Sequence, residues 1–179
     1  YKIDLELLKR YNRPGPRYTS YPTAPLFKKE FGEKEFEAEI VQTNRTGLTD
    51  LTRQTSLRPL SLYFHIPFCD TLCYFCGCTM LVTHERQKIN EYLTYLEKEI
   101  EKVSQLVNPN RVVSQLHWGG GTPTYLHPDE IKRLGNFIHE KIPHYEKEIE
   151  ASCEIDPRGL TRDHLAALKE VGFNRVSMG

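Results

Sequence analysis

Four of the chain's five cysteines lie in one short stretch, and their spacing is the most specific chemical signal in the sequence. Cys69, Cys73 and Cys76 follow the pattern C-x-x-x-C-x-x-C, directly after an apolar, strand-like run. Thiolates gathered this closely on a loop can converge on one soft metal centre. A structural zinc site uses four closed ligands, and an ordinary iron–sulfur cluster uses four thiolates. Three thiolates on a four-iron cluster would leave one iron open to a further ligand.

Cys78 is a possible fourth ligand, and it keeps other interpretations open. With Cys78 the loop could form a closed zinc site, a closed electron-transfer cluster or disulfides. Only one residue separates Cys78 from Cys76, however, which strains two thiolates that bind the same tetrahedral metal. Geometry therefore favours the open cluster over the closed sites and over disulfides. Cys153, alone on a predicted strand, is expected to be inert.

The elements that must position this loop alternate between strand and helix from Leu60 onward. The apolar patterns predict strands at 60–64, 112–118, 148–156 and 174–178, and helices at 87–107, from 128 and at 162–171. This order indicates a parallel sheet with right-handed crossovers, in either a doubly wound or a barrel arrangement. In a barrel the cysteine loop, the triple glycine at 119–121 and Glu154 would all lie at carboxyl ends of strands, on one face.

Residues 1–58 have a different character and are expected to form an N-terminal arm and linker. Short helices are predicted at 3–12 and 33–41, separated by a proline-rich extended segment, and 42–58 are predicted to be a polar linker. Arg17, Tyr18 and Tyr21 on the extended segment could pack on the core, or could meet an anionic aromatic ligand by ion pairing and stacking.

The cysteine motif also carries a family resemblance. The run HIPFCDTLCYFCGC, from His65 to Cys78, resembles the radical S-adenosylmethionine (SAM) superfamily. The CGC ending, together with GPRYTSYPT at 15–23, is similar to the family of oxygen-independent coproporphyrinogen III oxidases. The resemblance implies an α/β fold, namely the N-terminal part of a partial (β/α)6 TIM-like radical SAM barrel over 59–179. The family's proteins continue beyond Gly179, so we expect the N-terminal part of a longer protein with about the first three to four β/α units.

The resemblance also implies functional residues. Cys69, Cys73 and Cys76 would hold a [4Fe–4S] cluster whose open iron binds SAM, and Cys78 would not be a ligand. The implied SAM contacts are Tyr63, Phe75, Gly120, Gly121, Thr122 and Glu154. The implied substrate-side residues are Arg17, Tyr18 and Tyr21.

Each of these residues also has a structural interpretation. Tyr63 and Phe75 could be core aromatics, and the glycines could form a flexible turn. Glu154 could cap a helix or pair with Arg158. His65 and His117 are expected to be hydrogen-bonded core histidines rather than ligands.

The activity implied by the resemblance is the oxidative decarboxylation of coproporphyrinogen III to protoporphyrinogen IX, in haem biosynthesis. A 5′-deoxyadenosyl radical from SAM would convert propionates to vinyl groups, with two SAM molecules per cycle and a flavodoxin- or ferredoxin-like electron donor. This fragment alone is not expected to be fully active. The alternatives are a haem-binding radical SAM relative, either a chaperone or an anaerobic haem-degrading methyltransferase, and a zinc-stabilised structural module.

Composition and charge limit the other classes of partner. Lys plus Arg and Asp plus Glu both number 24, so no polyanionic partner such as nucleic acid is indicated. No apolar run approaches the ~18 residues of a membrane span, and the first residues do not resemble a signal peptide. With clustered cysteines, these features predict a cytoplasmic protein, and we expect a monomer.

Overall fold

The computed structural model describes residues 4–12, 26–28, 30–44, 47–49 and 55–179. The chain divides into two compact units, Tyr1–Phe36 and Glu37–Gly179. The predicted organisation into an arm at 1–58 and a barrel at 59–179 stays a prediction.

The strands are Gly47–Thr49 (β1), Thr55–Leu57 (β2), Leu60–Ile66 (β3), Phe68–Cys69 (β4), Leu81–Val82 (β5), Val113–Gly120 (β6), Tyr145–Ile155 (β7) and Arg175–Met178 (β8). The α-helices are Leu5–Tyr11 (α1), Glu33–Thr43 (α2), Arg86–Leu106 (α3), Pro128–Lys141 (α4) and Arg162–Glu170 (α5).

Both short helices predicted near the N-terminus are present, and side-chain oxygens cap their first turns. The Asp4 carboxylate accepts hydrogen bonds from the backbone amides of Glu6 and Leu7, both at 3.0 Å. At the start of α2, the Glu35 carboxylate accepts from the Gly32 amide at 2.9 Å. These carboxylates satisfy amides that have no partner within the helix, and they favour the positive end of its dipole.

Part of the segment 42–58, which was predicted to be a polar linker, has regular secondary structure. Helix α2 continues to Thr43, and β1 and β2 pair as an antiparallel ladder, with Leu48 opposite Ser56. The polar side chains of this segment suggested a linker. Pairing, however, is made by backbone amides and carbonyls, which every non-proline residue carries whatever its side chain.

The central sheet contains four parallel strands, in the order β3-β6-β7-β8. The spatial order therefore follows the order along the chain. A doubly wound sheet reverses its strand order at a switch point, whereas a β/α barrel adds each strand beside the previous one. Within the described residues, the sheet is thus the first part of a barrel, as the family resemblance implied.

The helices pack their predicted apolar stripes against this sheet. Ile89, Leu93 and Ile100 of α3 are buried, as are Ile131, Leu134 and Ile138 of α4. Pro128 occupies the first turn of α4, and the Thr161 hydroxyl accepts from the His164 amide at the start of α5. Among the described residues, no helix is both long and apolar enough to cross a bilayer.

Candidate active site at the carboxyl ends of the strands

The cysteine loop is anchored at both ends by short parallel pairing. Strand β3 leads through Pro67 into β4, where Phe68 lies opposite Leu81 and Cys69 lies opposite Val82 of β5. The Leu81 amide donates to the Pro67 carbonyl at 2.6 Å. The loop 70–80, which carries Cys73, Cys76 and Cys78, is therefore held at its base beside the end of β3.

The glycine loop, residues 119–122 at the end of β6, lies directly against the base of the cysteine loop. The amides of Gly121 and Thr122 donate to the carbonyls of Ile66 and Phe68, at 2.9 and 2.8 Å. A Cβ atom at Gly121 would lie 2.9 Å from the Cys69 Sγ and 2.8 Å from the Phe68 carbonyl oxygen. Contacts this short do not fit a side chain, so Gly121 is required for the close approach of the two loops.

A glycine is also required at position 120, because of its backbone conformation as well as its close contacts. Its φ of +118° lies in a region that L-residues rarely adopt, and a Cβ there would be 2.7 Å from the His65 ring. The close contacts at Gly120 and Gly121 therefore favour a close approach of the backbone over a flexible turn. Their backbone is closely packed between the cysteine loop and β7.

The four clustered cysteines differ in exposure. Cys69 is buried, Cys76 is half-buried, and Cys73 and Cys78 are exposed; all are free thiols, which contradicts the disulfide alternative for this loop. The Cys69 Sγ lies 3.5 Å from the Thr122 hydroxyl. Burial raises the pKa of the Cys69 thiol, the Thr122 hydrogen bond lowers it, and the nearby thiols of Cys76 and Cys73 raise it again. These three cysteines therefore share one electrostatic environment.

The thiols do not, however, form a closed single-ion site. Within the described part of the chain, no three His, Cys, Asp or Glu side chains are grouped so that they could hold one metal ion. Partial desolvation raises the pKa of Cys78, as do the adjacent Cys76 thiol and Glu154. Cys78 thus lies close to the predicted ligand Cys76.

Glu154, at the end of β7, is bound to the glycine loop. Its Oε2 accepts from the Gly120 amide at 3.1 Å. Its Oε1 lies 3.5 Å from the His117 Nε2, and the His117 Nδ1 lies 2.6 Å from the Ser152 hydroxyl. Because a carboxylate can only accept, Nε2 is the donor in the first contact, and the Ser152 hydroxyl donates to Nδ1 in the neutral ring. Among the described residues, Glu154 contacts the Gly120 amide and His117 rather than the start of a helix, and Arg158 pairs with Asp156 instead.

Tyr63 and Phe75 are both exposed, which contradicts the interpretation of either as a core aromatic. Phe75 is 102% exposed on the cysteine loop. Tyr63 is 58% exposed and stacks on the His117 ring, with centroids 5.8 Å apart and planes at 16°. Exposed aromatic faces next to the cysteine and glycine loops can stack on a planar ligand.

His65 connects Tyr63 to the far end of the cysteine loop. Its Nε2 donates to the Thr79 carbonyl at 2.7 Å, and its Nδ1 lies 3.0 Å from the Tyr63 hydroxyl. His65 and His117 are therefore both hydrogen-bonded, as predicted, but they are half-buried at the site rather than core residues. Their position follows from the parallel register, which places Tyr63 opposite His117 and His65 opposite Gly119.

Two further residues belong to the site, although no role in it was predicted for either: Asp156, expected with Glu154 at the end of its strand, and Arg158. Arg158 forms an ion pair with Asp156 at 2.6 Å, and its Nη2 also lies 3.8 Å from the Cys73 Sγ. Next to them a cleft of about 440 Å³ is lined by residues of the cysteine, glycine and β7–α5 loops, including Asp70, Thr122 and Arg158. The only signal in the sequence was the spacing Asp-Pro-Arg immediately after a strand.

The predicted substrate-side residues Arg17, Tyr18 and Tyr21 lie outside the described residues. The other predicted site residues meet at one edge of the sheet. Thiols on β4 and on the loop after it, a backbone that leaves no room for a Cβ at Gly121, and a carboxylate bound by the Gly120 amide fit an iron–sulfur cluster and a small polar ligand bound to it.

Comparison with known proteins agrees with this arrangement. The model of the radical SAM superfamily matches residues 63–179. The chain is 42% identical over 177 residues to an oxygen-independent coproporphyrinogen III oxidase of Helicobacter pylori strain J99, covering 99% of this chain and 37% of that protein. It is 47% identical over 176 residues to the enzyme of that name from Escherichia coli K12, covering 98% of this chain and 35% of that protein. A Mannheimia haemolytica sequence of the same name is 44% identical over 154 residues, which cover 86% of this chain and 96% of that sequence.

A solved structure is similar as well. Coproporphyrinogen III oxidase (HemN) from Escherichia coli, described as a radical SAM enzyme, aligns with a TM-score of 0.80 and 46% identity over 99% of this chain and 36% of that one. The chain thus spans a little over a third of the length of these longer relatives. Because the family model matches the region that contains the cysteine, glycine and Glu154 loops, the chain belongs to the radical SAM superfamily and, within it, to the oxygen-independent coproporphyrinogen III oxidases.

Proposed function

We propose that the full-length protein is a radical SAM oxidoreductase that converts coproporphyrinogen III to protoporphyrinogen IX by oxidative decarboxylation of two propionates. The observation that carries the proposal is the convergence of the cysteine loop, the glycine loop and Glu154 at the carboxyl ends of adjacent parallel strands. The names of the relatives support the substrate. The other catalytic parts would lie in the portion of the longer relatives that this chain does not cover.

In this proposal Cys69, Cys73 and Cys76 hold a [4Fe–4S] cluster, and Cys78 is not a ligand. When bound, the cluster and SAM supply a one-electron cleavage that produces a carbon radical, which can take a hydrogen atom from a propionate side chain. Loss of carbon dioxide, together with transfer of one further electron to an electron acceptor, would leave the vinyl group. The chain's own residues bind, orient and enclose these groups.

The individual roles follow from the contacts. The backbone of Gly120, Gly121 and Thr122 offers a surface without side chains beside Cys69, which suits close binding of the methionine part of SAM. Glu154 is positioned by the Gly120 amide and could accept hydrogen bonds from ribose hydroxyls. The exposed faces of Phe75 and Tyr63 could contact the adenine and the rest of SAM.

The proposal includes finer points that rest on the family resemblance. These are two SAM molecules per cycle, a flavodoxin- or ferredoxin-like donor, a monomer without nucleic-acid or membrane partners, and contact of Arg17, Tyr18 and Tyr21 with the porphyrinogen. A cytoplasmic location is consistent with the five free cysteines.

Electron paramagnetic resonance of the full-length protein tests the proposal. The protein would be reconstituted anaerobically with iron and sulfide, reduced, and measured with and without SAM. We expect a reduced-cluster signal that changes on addition of SAM, and formation of protoporphyrinogen IX when coproporphyrinogen III and a reductant are added. Bound zinc in place of a cluster, or a cluster signal that is indifferent to SAM, would refute the assignment of an open iron.

Two matched variants distinguish a cysteine that binds the cluster from a neighbouring cysteine that does not. Cys76→Ser should abolish the cluster signal, whereas Cys78→Ser, two residues away on the same loop, should keep both the signal and its response to SAM. Loss of the cluster in Cys78→Ser alone would instead indicate that Cys78 is the third ligand.

A further inference from the structure

Arg158 connects the end of β7 to the cysteine loop, across 85 positions in sequence. Its Nε donates to both oxygens of Asp156 at 3.0 Å, and its Nη2 donates to Oδ2 at 2.6 Å. The Arg158 amide also donates to the Asp156 carboxylate at 2.9 Å. The guanidinium is therefore held in one orientation by a multidentate contact rather than extending freely into solvent.

In that orientation the guanidinium points an N–H group at one of the predicted cluster ligands. Nη2 lies 3.8 Å from the Cys73 Sγ, within the range of a hydrogen bond to sulfur. Cys73 is exposed, so solvent reaches this sulfur, and Arg158 brings a positively charged side chain into contact with it. Hydrogen bonds to the sulfurs and local charge are two of the protein's means of setting the reduction potential of an iron–sulfur cluster.

We propose that Arg158, oriented by Asp156, donates a hydrogen bond to the Cys73 sulfur and thereby raises the midpoint potential of the cluster. The inference rests on the proposed function, because it requires Cys73 to be a ligand. Reduction adds negative charge to the cluster and its thiolates, and an N–H donor stabilises the reduced state more than the oxidised state. Since the carboxylate of Asp156 balances the guanidinium charge, the effect comes mainly from the directed hydrogen bond. Arg158 is thus a positioning and tuning residue and not a catalytic one.

The test is a reductive titration of the full-length, reconstituted protein, followed by electron paramagnetic resonance. Arg158→Gln should shift the midpoint potential to more negative values by up to about 59 mV, which is tenfold in the equilibrium constant of a one-electron couple. Arg158→Lys should give a smaller shift in the same direction, because it keeps the charge but loses the planar fork. Arg162→Gln, an exposed arginine at the start of α5, is the matched control and should leave the potential unchanged.

A double variant, Asp156→Asn with Arg158→Gln, keeps the net charge of the wild type. A potential that remains shifted in this variant supports the hydrogen bond, and a return to the wild-type value would overturn it. Wild-type potentials in both single Arg158 variants, at full iron and sulfide content, would also overturn the inference. A different result, a wild-type protein that binds no cluster, would refute the proposed function itself. If Arg158→Gln does not bind iron, the midpoint potential of Arg158→Lys tests the inference instead.

Discussion

At the residue scale, the site depends on positions where a side chain is excluded. Gly120 and Gly121 lie between the cysteine loop and β7, and each would meet a neighbouring atom at less than 3.0 Å if it carried a Cβ. A Cβ at Gly121 would overlap the Cys69 sulfur, and a Cβ at Gly120 would overlap the His65 ring. Both groups are parts of the proposed site. Small changes in these two glycines should therefore affect cofactor binding before they affect the fold.

We expect Gly121→Ala to reduce cluster loading strongly, because the new methyl group would displace Cys69. Iron and sulfide content after anaerobic reconstitution measures the effect, and circular dichroism checks the fold. Gly159→Ala is the control, since a Cβ there meets no atom within 4 Å. Equal loading of the two variants would contradict the close approach seen at Gly121.

Glu154→Gln should lower the affinity for SAM about tenfold, and the fold should be retained. The amide oxygen can still accept from the Gly120 amide, so the glycine loop stays in place, whereas the charged acceptor proposed for the ribose hydroxyls is lost. A tenfold change corresponds to about 1.4 kcal/mol. This is near the lower end of the about 1.5–3 kcal/mol of a hydrogen bond to a charged group, as expected if the neutral amide oxygen still accepts weakly. Titration of SAM followed by calorimetry or by the cluster signal gives the affinity. Unchanged affinity would leave Glu154 with a structural role only.

At the element scale, helices α4 and α5 are close because α4 contains a glycine. A Cβ at Gly135 would lie 2.6 Å from the Cβ of Val171 and 2.8 Å from its Cγ1. On sequence grounds the glycine only weakens the helix, by about 1 kcal/mol relative to alanine. The structure shows what the glycine permits, namely the contact between the end of α5 and the middle of α4.

Gly135→Ala should consequently destabilise the protein, although alanine is the better helix former. Steric overlap with the stiff, β-branched Val171 costs about 1–3 kcal/mol and exceeds the gain in helix propensity of about 1 kcal/mol. Chemical denaturation of both proteins measures the change in free energy of unfolding. Asn136→Ala, at the exposed neighbouring position, should leave stability unchanged or slightly raise it. A more stable Gly135→Ala variant would mean that the two helices separate easily.

At the scale of the whole molecule, the parallel register is what assembles the site. Strands β3, β6 and β7 each end at the same edge, so the loops that follow them meet there, although 85 positions separate Cys73 from Arg158. The buried side of the same strands forms the core, which includes Trp118 and Cys153. Along these strands, side chains that face the site therefore alternate with side chains that are buried in the core.

The buried thiol of Cys153 gives a stability prediction for the whole fold. Burial raises its pKa from about 9.0 to about 12, so the folded state keeps the proton where the unfolded state loses it. The contribution is fully present below pH 9 and is lost as the pH rises toward 12, by about 1.4 kcal/mol per pH unit. Denaturation between pH 8 and 10 should show this decline in the wild type, and a smaller decline in Cys153→Ala. Identical slopes would show that Cys153 ionises in the folded protein. Burial also raises the pKa of Tyr145, from 10.0 to about 12, so this tyrosine adds to the decline only near the upper end of the window.

The local chemistry of this protein follows from its sequence alone. The thiol spacing, the triple glycine after a strand and the apolar stripes of α3 and α4 are short-range patterns, and a side chain's type and its neighbours are enough to predict them. The parallel direction of the strands also follows, because strands alternating with helices permit few connections. The order of the strands in the sheet was left open between a doubly wound sheet and a barrel, and the structure gives it as β3-β6-β7-β8. The pairing of β1 with β2 within the segment 42–58 was not predicted, since it depends on the backbone rather than on side-chain polarity.

Tertiary structure alone decided which of these residues touch. No pattern in the sequence places His117 between Tyr63, Ser152 and Glu154, because that contact depends on the register of three strands. The requirement for Gly121 and Gly135 likewise comes from atoms distant in the chain, and so does the approach of Arg158 to Cys73. Short-range patterns thus predict the candidate reactive groups, whereas the distances between them are set by packing, which brings together residues that are far apart in sequence.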